Sequence, residues 1–175
     1  MCEGTLSTAA VWQPRLRDIL SSSSPSARVA LIGVGHPMRG DDYVGSFVIK
    51  TLMQRVKTDK VIFFDAEDGL EWTISKLAKS NLRHIIVVDA CEMNATPGDI
   101  ALIPLANTDY PFFTTDGIPL KLLASKILPY VETSILAIQP ERMGINGHLS
   151  PLVSAAATAI SRFIEETLRR IETGA

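Results

Sequence analysis

Residues 28–45 read RVALIGVGHPMRGDDYVG, and this stretch predicts the beginning of an α/β fold. Its first seven residues, Arg28 to Val34, are a short apolar run bounded by serine and glycine, as expected of a buried strand. Beyond the glycine-rich loop, apolar residues recur at helical spacing from Tyr43 to Val56, which predicts an amphipathic helix. A strand, a short loop and a helix in this order form the first part of a parallel crossover.

The same alternation continues along the chain. Further strands are predicted at Lys60–Phe64, Arg83–Val88, Asp99–Pro104 and Ser134–Gln139, and further helices at Trp12–Leu20, Leu70–Lys79, Gly117–Leu128 and Leu149–Arg170. Alternating strands and helices indicate a three-layer α/β/α sandwich with a mostly parallel sheet and one short antiparallel strand. We expect the Thr96-Pro97-Gly98 turn to form a local antiparallel ribbon at the end of the third strand. Residues 1–27 are assigned to an N-terminal tail, a short helix and a serine-rich linker, and residues 28–175 to a single α/β domain.

The composition excludes several classes of function. The chain has 175 residues, a formal net charge of −2 and no basic run, which argues against a nucleic-acid partner. No apolar run reaches about 18 residues without a charge or a proline, so we expect no membrane span. Two cysteines without CxxC spacing and the lack of an export-signal pattern predict a cytoplasmic protein. Three histidines are too few for a zinc site built on several His and Cys ligands.

Carboxylates follow the predicted strands. Asp41 and Asp42 follow the first strand, Asp65 the second and Asp89 the third. Because the carboxyl ends of parallel strands share one edge of the sheet, we expect these acids to line one crevice. Clustered carboxylates suit metal binding or acid/base chemistry. The alternative for Asp41 and Asp42 is that one is the N-cap and the other a first-turn acid of the following helix.

The glycine loop also invites comparison with nucleotide-binding loops. Met38 stands where the third glycine of GxGxxG belongs, and no Walker lysine is present. Asp41 and Asp42 would repel a phosphate at the helix N-terminus. A nucleotide-binding α/β protein therefore remains a third interpretation, which the two aspartates disfavour. Elsewhere, His84 is expected to be a hydrogen-bonded core histidine, Cys91 a buried cysteine and Ser150 a helix N-cap before Pro151.

Four segments carry a resemblance to a known family. The pattern Gly33-x-Gly35-x-x-x-x-Gly40-Asp41-Asp42-x-x-Gly45 resembles the G-x-G-N-x-x-x-G-D-D-G-x-G of the hydrogenase maturation endopeptidases. Further similar segments, in order, are 86–90 with 97–100 (I-V-V-D-A and P-G-D-I), 114–120 (T-T-D-G-I-P-L) and 138–140 (I-Q-P). The last two look most like the branch that processes formate-hydrogenlyase and related membrane-bound hydrogenases. The likeness spans residues 28–172.

The resemblance implies an activity and a set of site residues. Members of this family remove a C-terminal extension from the large-subunit precursor of [NiFe]-hydrogenase after nickel insertion, and the nickel belongs to the substrate. Asp42 and Asp89 match two of the residues that probe the nickel, and they are the best candidates for catalytic residues. Asp116 stands where the family has its third residue, a histidine. No organic cofactor is implied, and we expect a monomer.

Asp116 leaves three possibilities open. Asp116 takes the role of the histidine as a metal ligand, or His36 or His148 supplies an imidazole from another loop, or nickel sensing is altered. The first is favoured because the Thr-Thr and Pro-Leu residues around Asp116 are intact. Two smaller departures are His36 in place of asparagine and Tyr43 in place of glycine. The alternative function is a non-catalytic nickel-sensing or chaperone module that binds the same precursor.

Overall fold

The computed structural model describes residues 12–24, 26–67, 69–77, 79–107, 125, 130–145 and 147–174. Within them the helices are α1 (Trp12–Ser21), α2 (Val44–Arg55), α3 (Leu70–Leu77) and α4 (Pro151–Thr173). The strands are β1 (Arg28–Val34), β2 (Val61–Glu67), β3 (Leu82–Ala90), β4 (Ile100–Pro104) and β5 (Glu132–Ile138), and short 3-10 helices cover Asp41–Tyr43 and Leu105–Asn107. Asp116 and, apart from Ser125, the predicted helix Gly117–Leu128 lie outside the described residues. No helix in the described ranges is long and apolar enough to cross a membrane.

The described strands form one sheet in the order β2-β1-β3-β5-β4, in which β4 runs antiparallel to β5 and the other pairs are parallel. The predicted sheet type is therefore confirmed, but the predicted ribbon at the end of the third strand is wrong, because β4 pairs with β5 and not with β3. β5 is buried along most of its length and takes the interior position between β3 and β4. The shorter, less buried β4 is left at the edge of the sheet.

Helices cover both faces of the sheet and bury two apolar clusters. α1, α2 and α4 pack on one face, against strand residues that include Leu31 and Leu136. α3 packs on the other face, against residues that include Ile32 and Ile135. Successive residues of a strand point to opposite faces, so each continuous apolar run supplies both clusters. The three-layer α/β/α sandwich is confirmed.

α1 joins the core although it precedes the region of sequence resemblance. Trp12, Leu16 and Leu20 are spaced four residues apart, and all three are buried in the cluster that contains α4. The ring of Trp12 meets the ring of Phe163 edge to face, with 5.1 Å between centroids. The domain boundary after residue 27 stays a prediction, but α1 shares the hydrophobic core of the rest of the chain.

The start of α2 contacts the sheet through backbone atoms because the residues at the contact are glycines, which have no side chain. A Cβ atom on Gly45 would overlap the carbonyl oxygen of Val88, and one on Gly35 would overlap the carbonyl oxygen of Asp42. Gly35 also has a φ of +123°, which L side chains rarely adopt. The glycine pattern therefore brings the turn that carries Asp42 against the ends of β1 and β3.

Candidate active site at the ends of β1 and β3

The chain changes direction across the sheet between β1 and β3. It runs from β1 outwards to β2 and then crosses back to β3, which lies on the other side of β1. Ligands of open α/β sheets bind outside the carboxyl ends of the strands at such a switch point. Asp42 lies on the turn after β1, and Asp89 is the penultimate residue of β3. Both residues are of intermediate exposure.

Asp42 and Asp89 interact electrostatically. Burial raises the pKa of Asp89, the negative charge of Asp42 raises it further, and a hydrogen bond from the backbone N–H of Ala90 only partly opposes them. The resulting pKa of Asp89 is about 7. Two carboxylates coupled in this way favour either a bound proton or a cation at the site. The structure therefore brings together the two residues that the sequence singled out as best candidates.

Hydrogen bonds hold the loop that carries Asp42. The backbone N–H of His36 donates to Oδ2 of Asp42 at 3.2 Å. The buried hydroxyl of Ser46 donates to the carbonyl oxygen of Gly35 at 2.7 Å, and the N–H of Gly35 donates to the carbonyl oxygen of Glu67 at 3.1 Å. These bonds connect the loop to α2 and β2, so the orientation of Asp42 is set by the surrounding backbone.

Asp41 has an entirely different environment from its neighbour. Its side chain is fully buried and accepts three backbone hydrogen bonds, from Glu141 at 2.9 Å, Arg142 at 2.8 Å and Ser150 at 2.6 Å. Burial alone would raise the pKa of Asp41, but the hydrogen bonds outweigh it and lower the pKa below its usual value. The N-cap part of the alternative is wrong: Gly40 is the N-cap of the 3-10 turn and no side chain caps it, whereas Asp41 and Asp42 do both lie in its first turn.

Asp65 forms an ion pair with a lysine of α2. Nζ of Lys50 lies 3.0 Å from Oδ2 of Asp65 and 3.0 Å from Oε1 of Glu67. β2 extends to Glu67, so Asp65 lies within the strand, and β2 is separated from β3 by β1. The charge of Asp65 is balanced by Lys50, and its place in a crevice shared with the other acids stays a prediction.

Gln139 is a buried residue that sequence reasoning did not single out. Its Oε1 accepts hydrogen bonds from the N–H groups of Met93 at 2.7 Å and Ala95 at 3.2 Å. Its Nε2 donates to Oε1 of Glu92 at 2.9 Å and to the carbonyl oxygen of Pro140 at 3.2 Å. The sequence feature that could have predicted this role is the position of Gln139 in the I-Q-P segment. A glutamine directly after a buried strand needs polar partners.

The third metal-binding position remains a prediction. In the part of the chain that the structure describes, no three His, Cys, Asp or Glu side chains form a group that could hold a metal ion. His36 contacts Asp42 through its backbone, and its Nδ1 accepts a hydrogen bond from Met38. His148 lines a pocket of about 370 Å³, together with Gly40, Arg142, Met143, Gly144, Ile145 and Gly147. Asp116, the favoured third ligand, is not among the described residues.

The predictions for three other polar residues are confirmed. His84 is buried, and its Nε2 lies 3.0 Å from the hydroxyl of Ser134. Burial lowers the pKa of His84 despite the nearby charge of Glu132. Cys91 is buried, and Ser150 is the N-cap of α4, with Pro151 as the first helical residue.

Comparisons of sequence find similar proteins that are named as a hydrogenase subunit or as hydrogenase maturation proteases. The coenzyme F420 hydrogenase subunit delta of Methanothermobacter thermautotrophicus is 29% identical over 154 residues, which are 83% of this chain and 95% of that protein. The hydrogenase 3 maturation protease of Escherichia coli K12 is 27% identical over 135 residues, 75% of this chain and 86% of that protein. No protein-family model matches the chain.

The comparison with solved structures covers a larger share of the chain. The [NiFe] hydrogenase maturation protease HycI of Thermococcus kodakarensis superposes with a TM-score of 0.78 at 26% identity, over 89% of this chain and 99% of that chain. The chain therefore resembles hydrogenase maturation proteases in both sequence and fold. HybD of Escherichia coli shares the fold at 20% identity, with a TM-score of 0.65 over 82% of this chain and 93% of that chain. Relatives and neighbours with this fold are named as proteases, so Asp42 and Asp89 stay the candidate residues of a peptidase site.

Proposed function

We propose that this maturation protease removes the C-terminal extension of a [NiFe]-hydrogenase large-subunit precursor after nickel insertion, and that it recognises the nickel held by that precursor. The observation that carries the proposal is the electrostatic coupling of Asp42 and Asp89 at the switch point of the sheet. Similarity to named maturation proteases supports the peptidase activity, and the carboxylate pair supplies a reason for metal dependence. We place the reaction in the cytoplasm and treat the protease as a monomer.

The carboxylate pair can distinguish a metal-loaded from a metal-free precursor. With a pKa of about 7, Asp89 retains a proton in much of the free protein near neutral pH. A divalent cation favours both ionised carboxylates and removes the repulsion between them. A precursor without its metal offers no such compensation, so we expect it to bind weakly.

Cleavage then requires water to add to the scissile carbonyl and a proton to reach the departing amine. A carboxylate of the pair can accept the proton from water and return it to the amine nitrogen. The nickel of the substrate can act as a Lewis acid on the water or the carbonyl. Holding the scissile bond beside these groups lowers the barrier by orientation.

Asp116 completes the proposed set of ligands. It occupies the position of the family histidine and supplies a harder, more anionic donor than imidazole. Three carboxylates would depend more strongly on a cation than two carboxylates and an imidazole. This dependence should make the protease stricter about the metal state of its substrate.

The proposal is tested with nickel-loaded and nickel-free precursor, each incubated with the full chain and followed by intact mass. The wild type should shorten only the nickel-loaded precursor. Asp42→Asn and Asp89→Asn should lower the cleavage rate at least about 100-fold, because proton transfer and orientation each contribute on this scale. Asp116→Ala should also lose activity.

Asp65→Asn is the matched control, since it removes a carboxylate of the neighbouring strand that is paired with Lys50. It should cleave at a rate close to that of the wild type, and circular dichroism should show that all variants are folded. Wild-type cleavage by Asp42→Asn or Asp89→Asn, or equal cleavage of both precursors by the wild type, would contradict the proposal.

One observation favours a second function, the binding of a hydrogenase without cleavage. The 29% identical relative is named as a subunit of a hydrogenase, and this chain covers 95% of its length. Asp116 in place of histidine is consistent with a nickel-sensing or chaperone module. A stable complex with the nickel-loaded precursor, without any change in precursor mass, would favour this function.

A further inference from the structure

The segment 139–142, which follows β5, lies between the two loops of the candidate site. We refer to these residues as the bridging segment. β5 pairs with β3, and Ile138 is the partner of Ala90, the residue after Asp89. The N–H of Cys91 also donates to the carbonyl oxygen of Ile138 at 2.9 Å. The bridging segment therefore starts beside the end of the strand that carries Asp89.

One end of the bridging segment is bound to the loop after β3 by Gln139. The buried side chain of Gln139 contacts Glu92, Met93 and Ala95 at 2.7–3.2 Å. Its backbone adds two bonds at 2.9 Å: its carbonyl oxygen accepts from the N–H of Gly98, and its N–H donates to the carbonyl oxygen of Asp99. These contacts anchor the chain on the carboxyl side of Asp89.

The other end of the bridging segment is bound to the loop after β1 by Asp41. The carboxylate of Asp41 accepts hydrogen bonds from the N–H groups of Glu141 and Arg142, and from Ser150 at the start of α4. The N–H of Asp41 donates to the carbonyl oxygen of Arg142 at 3.1 Å. Because Asp42 is the next residue, these contacts anchor the backbone from which its side chain projects.

We propose that Asp41 and Gln139 are positioning residues, which fix the separation of Asp42 and Asp89 by attaching both loops to the bridging segment. The inference rests on the proposed function, since it concerns how the same site holds the metal of the precursor. Both oxygens of Asp41 are occupied by backbone N–H groups, so Asp41 acts through Asp42 and is not itself a ligand. Each side chain is buried at the junction of two loops that carry the reacting carboxylates.

The two contacts can be weakened separately with little change in side-chain size. Asp41→Asn replaces one carboxylate oxygen by an NH2 group, which cannot accept a hydrogen bond from the backbone N–H groups that surround residue 41. Gln139→Met removes all four side-chain hydrogen bonds of Gln139. The exchanged pair Gln139→Glu with Glu92→Gln keeps an acceptor for Met93 and Ala95 and restores a donor–acceptor contact between residues 139 and 92.

Ser134→Ala is the matched control. Ser134 is also buried and lies on β5, but its hydroxyl contacts His84 near the opposite end of the sheet. Its loss should therefore change stability without changing the geometry of Asp42 and Asp89. Thermal unfolding, followed by circular dichroism, identifies an assay temperature at which every variant is folded.

The readout is the affinity of each variant for nickel-loaded and nickel-free precursor, together with kcat and KM for cleavage. Asp41→Asn and Gln139→Met should reduce the preference for nickel-loaded precursor and lower kcat about 10- to 100-fold, since a displacement of about 1 Å costs on this scale. Affinity for the nickel-free precursor should not change. The exchanged pair should recover part of the preference, and Ser134→Ala should keep all of it.

The two proposals fail in different ways. A wild-type protease that binds both precursors equally would overturn the proposed function. A wild-type preference that persists in both Asp41→Asn and Gln139→Met would overturn the positioning roles and leave the proposed function intact. Equal loss of affinity for both precursors in the two variants would also overturn the positioning roles, because it would indicate general damage to the binding surface.

Discussion

Asp41 and Asp42 are adjacent in sequence, and their environments differ completely. Asp41 is buried and surrounded by backbone donors, which lower its pKa. Asp42 is partly exposed, and its charge raises the pKa of Asp89. The difference arises because successive residues of a tight turn point in different directions, one towards the loop before α4 and one towards β3. The same residue type therefore serves as a structural anchor at one position and as a candidate ligand at the next.

The raised pKa of Asp89 predicts that the site lowers the stability of the free protein at neutral pH. An aspartate of the unfolded chain titrates near 3.9, whereas Asp89 of the folded protein titrates near 7. Between these values the folded state binds more protons than the unfolded state, so the contribution of Asp89 to stability falls as pH rises from about 4 to 7. Asp89→Asn should therefore be more stable than the wild type above pH 7, by up to about 4 kcal/mol, since each pKa unit corresponds to about 1.4 kcal/mol.

Urea unfolding at pH 5 and pH 8 measures this effect. The stability difference between Asp89→Asn and the wild type should grow from pH 5 to pH 8. Asp65→Asn is again the control, because Asp65 is paired with Lys50 and should show no such gain. A constant difference between Asp89→Asn and the wild type across this range would show that Asp89 titrates normally.

The start of α2 illustrates how backbone contacts between elements build the site. Glycines at both sides of the contact allow the first turn of α2 to touch the ends of β1 and β3. The sequence pattern placed the glycines correctly but suggested a phosphate loop as one interpretation. In the structure the space is filled by protein backbone, and the glycines serve close packing of a helix on a sheet.

Gly45→Ala should be strongly destabilising. Its new methyl group would overlap the carbonyl oxygens of Val88 and Val34, which belong to the sheet and cannot move as a flexible side chain would. Overpacking of a core typically costs about 1–3 kcal/mol, and backbone overlap should give a value at or above the upper end. Chemical denaturation measures the loss.

Gly144→Ala provides the comparison, because nothing lies within 4 Å of the added Cβ atom. The same chemical change should leave the free energy of unfolding within about 0.5 kcal/mol of the wild type. Equal stability of the two alanine variants would contradict the close packing of α2 on the sheet.

The molecule as a whole is held by a core that includes the N-terminal helix. α1 contributes three buried side chains to the cluster of α2 and α4, and Arg17 lies 5.3 Å from the ring centroid of Phe163 on α4. The region before residue 28 lies outside the family resemblance, yet its helix covers apolar surface of the common fold. α1 should therefore unfold together with the sheet.

Leu16→Ala tests this cooperativity. Leu16 is fully buried, so its truncation should cost about 2–5 kcal/mol and shift the unfolding of the entire protein as one transition. Leu152→Ala is the control, since Leu152 is 52% exposed on α4. A Leu16→Ala protein with wild-type stability, or with a separate early transition, would indicate that α1 is an appendage.

Local patterns predicted much of this architecture. The apolar runs and helical spacings placed every described strand and helix to within a few residues, because burial imposes a period on neighbouring residues. The strand ends drew attention to four aspartates, and the motifs that resemble the maturation endopeptidases selected Asp42 and Asp89 among them. These inferences depend only on residues close together in the chain.

The partners of the site residues depend on contacts that no local pattern contains. The hydrogen bonds of Asp41 join residues 100 or more positions apart, and Gln139 reaches residues 44–47 positions away. The pairing of β4 with β5 and of Asp65 with Lys50 likewise follows from which elements become neighbours. The sequence established the elements through local periodicity and the two candidate carboxylates through the resemblance of its motifs, whereas packing of distant segments determined which aspartate is buried and which is partly exposed.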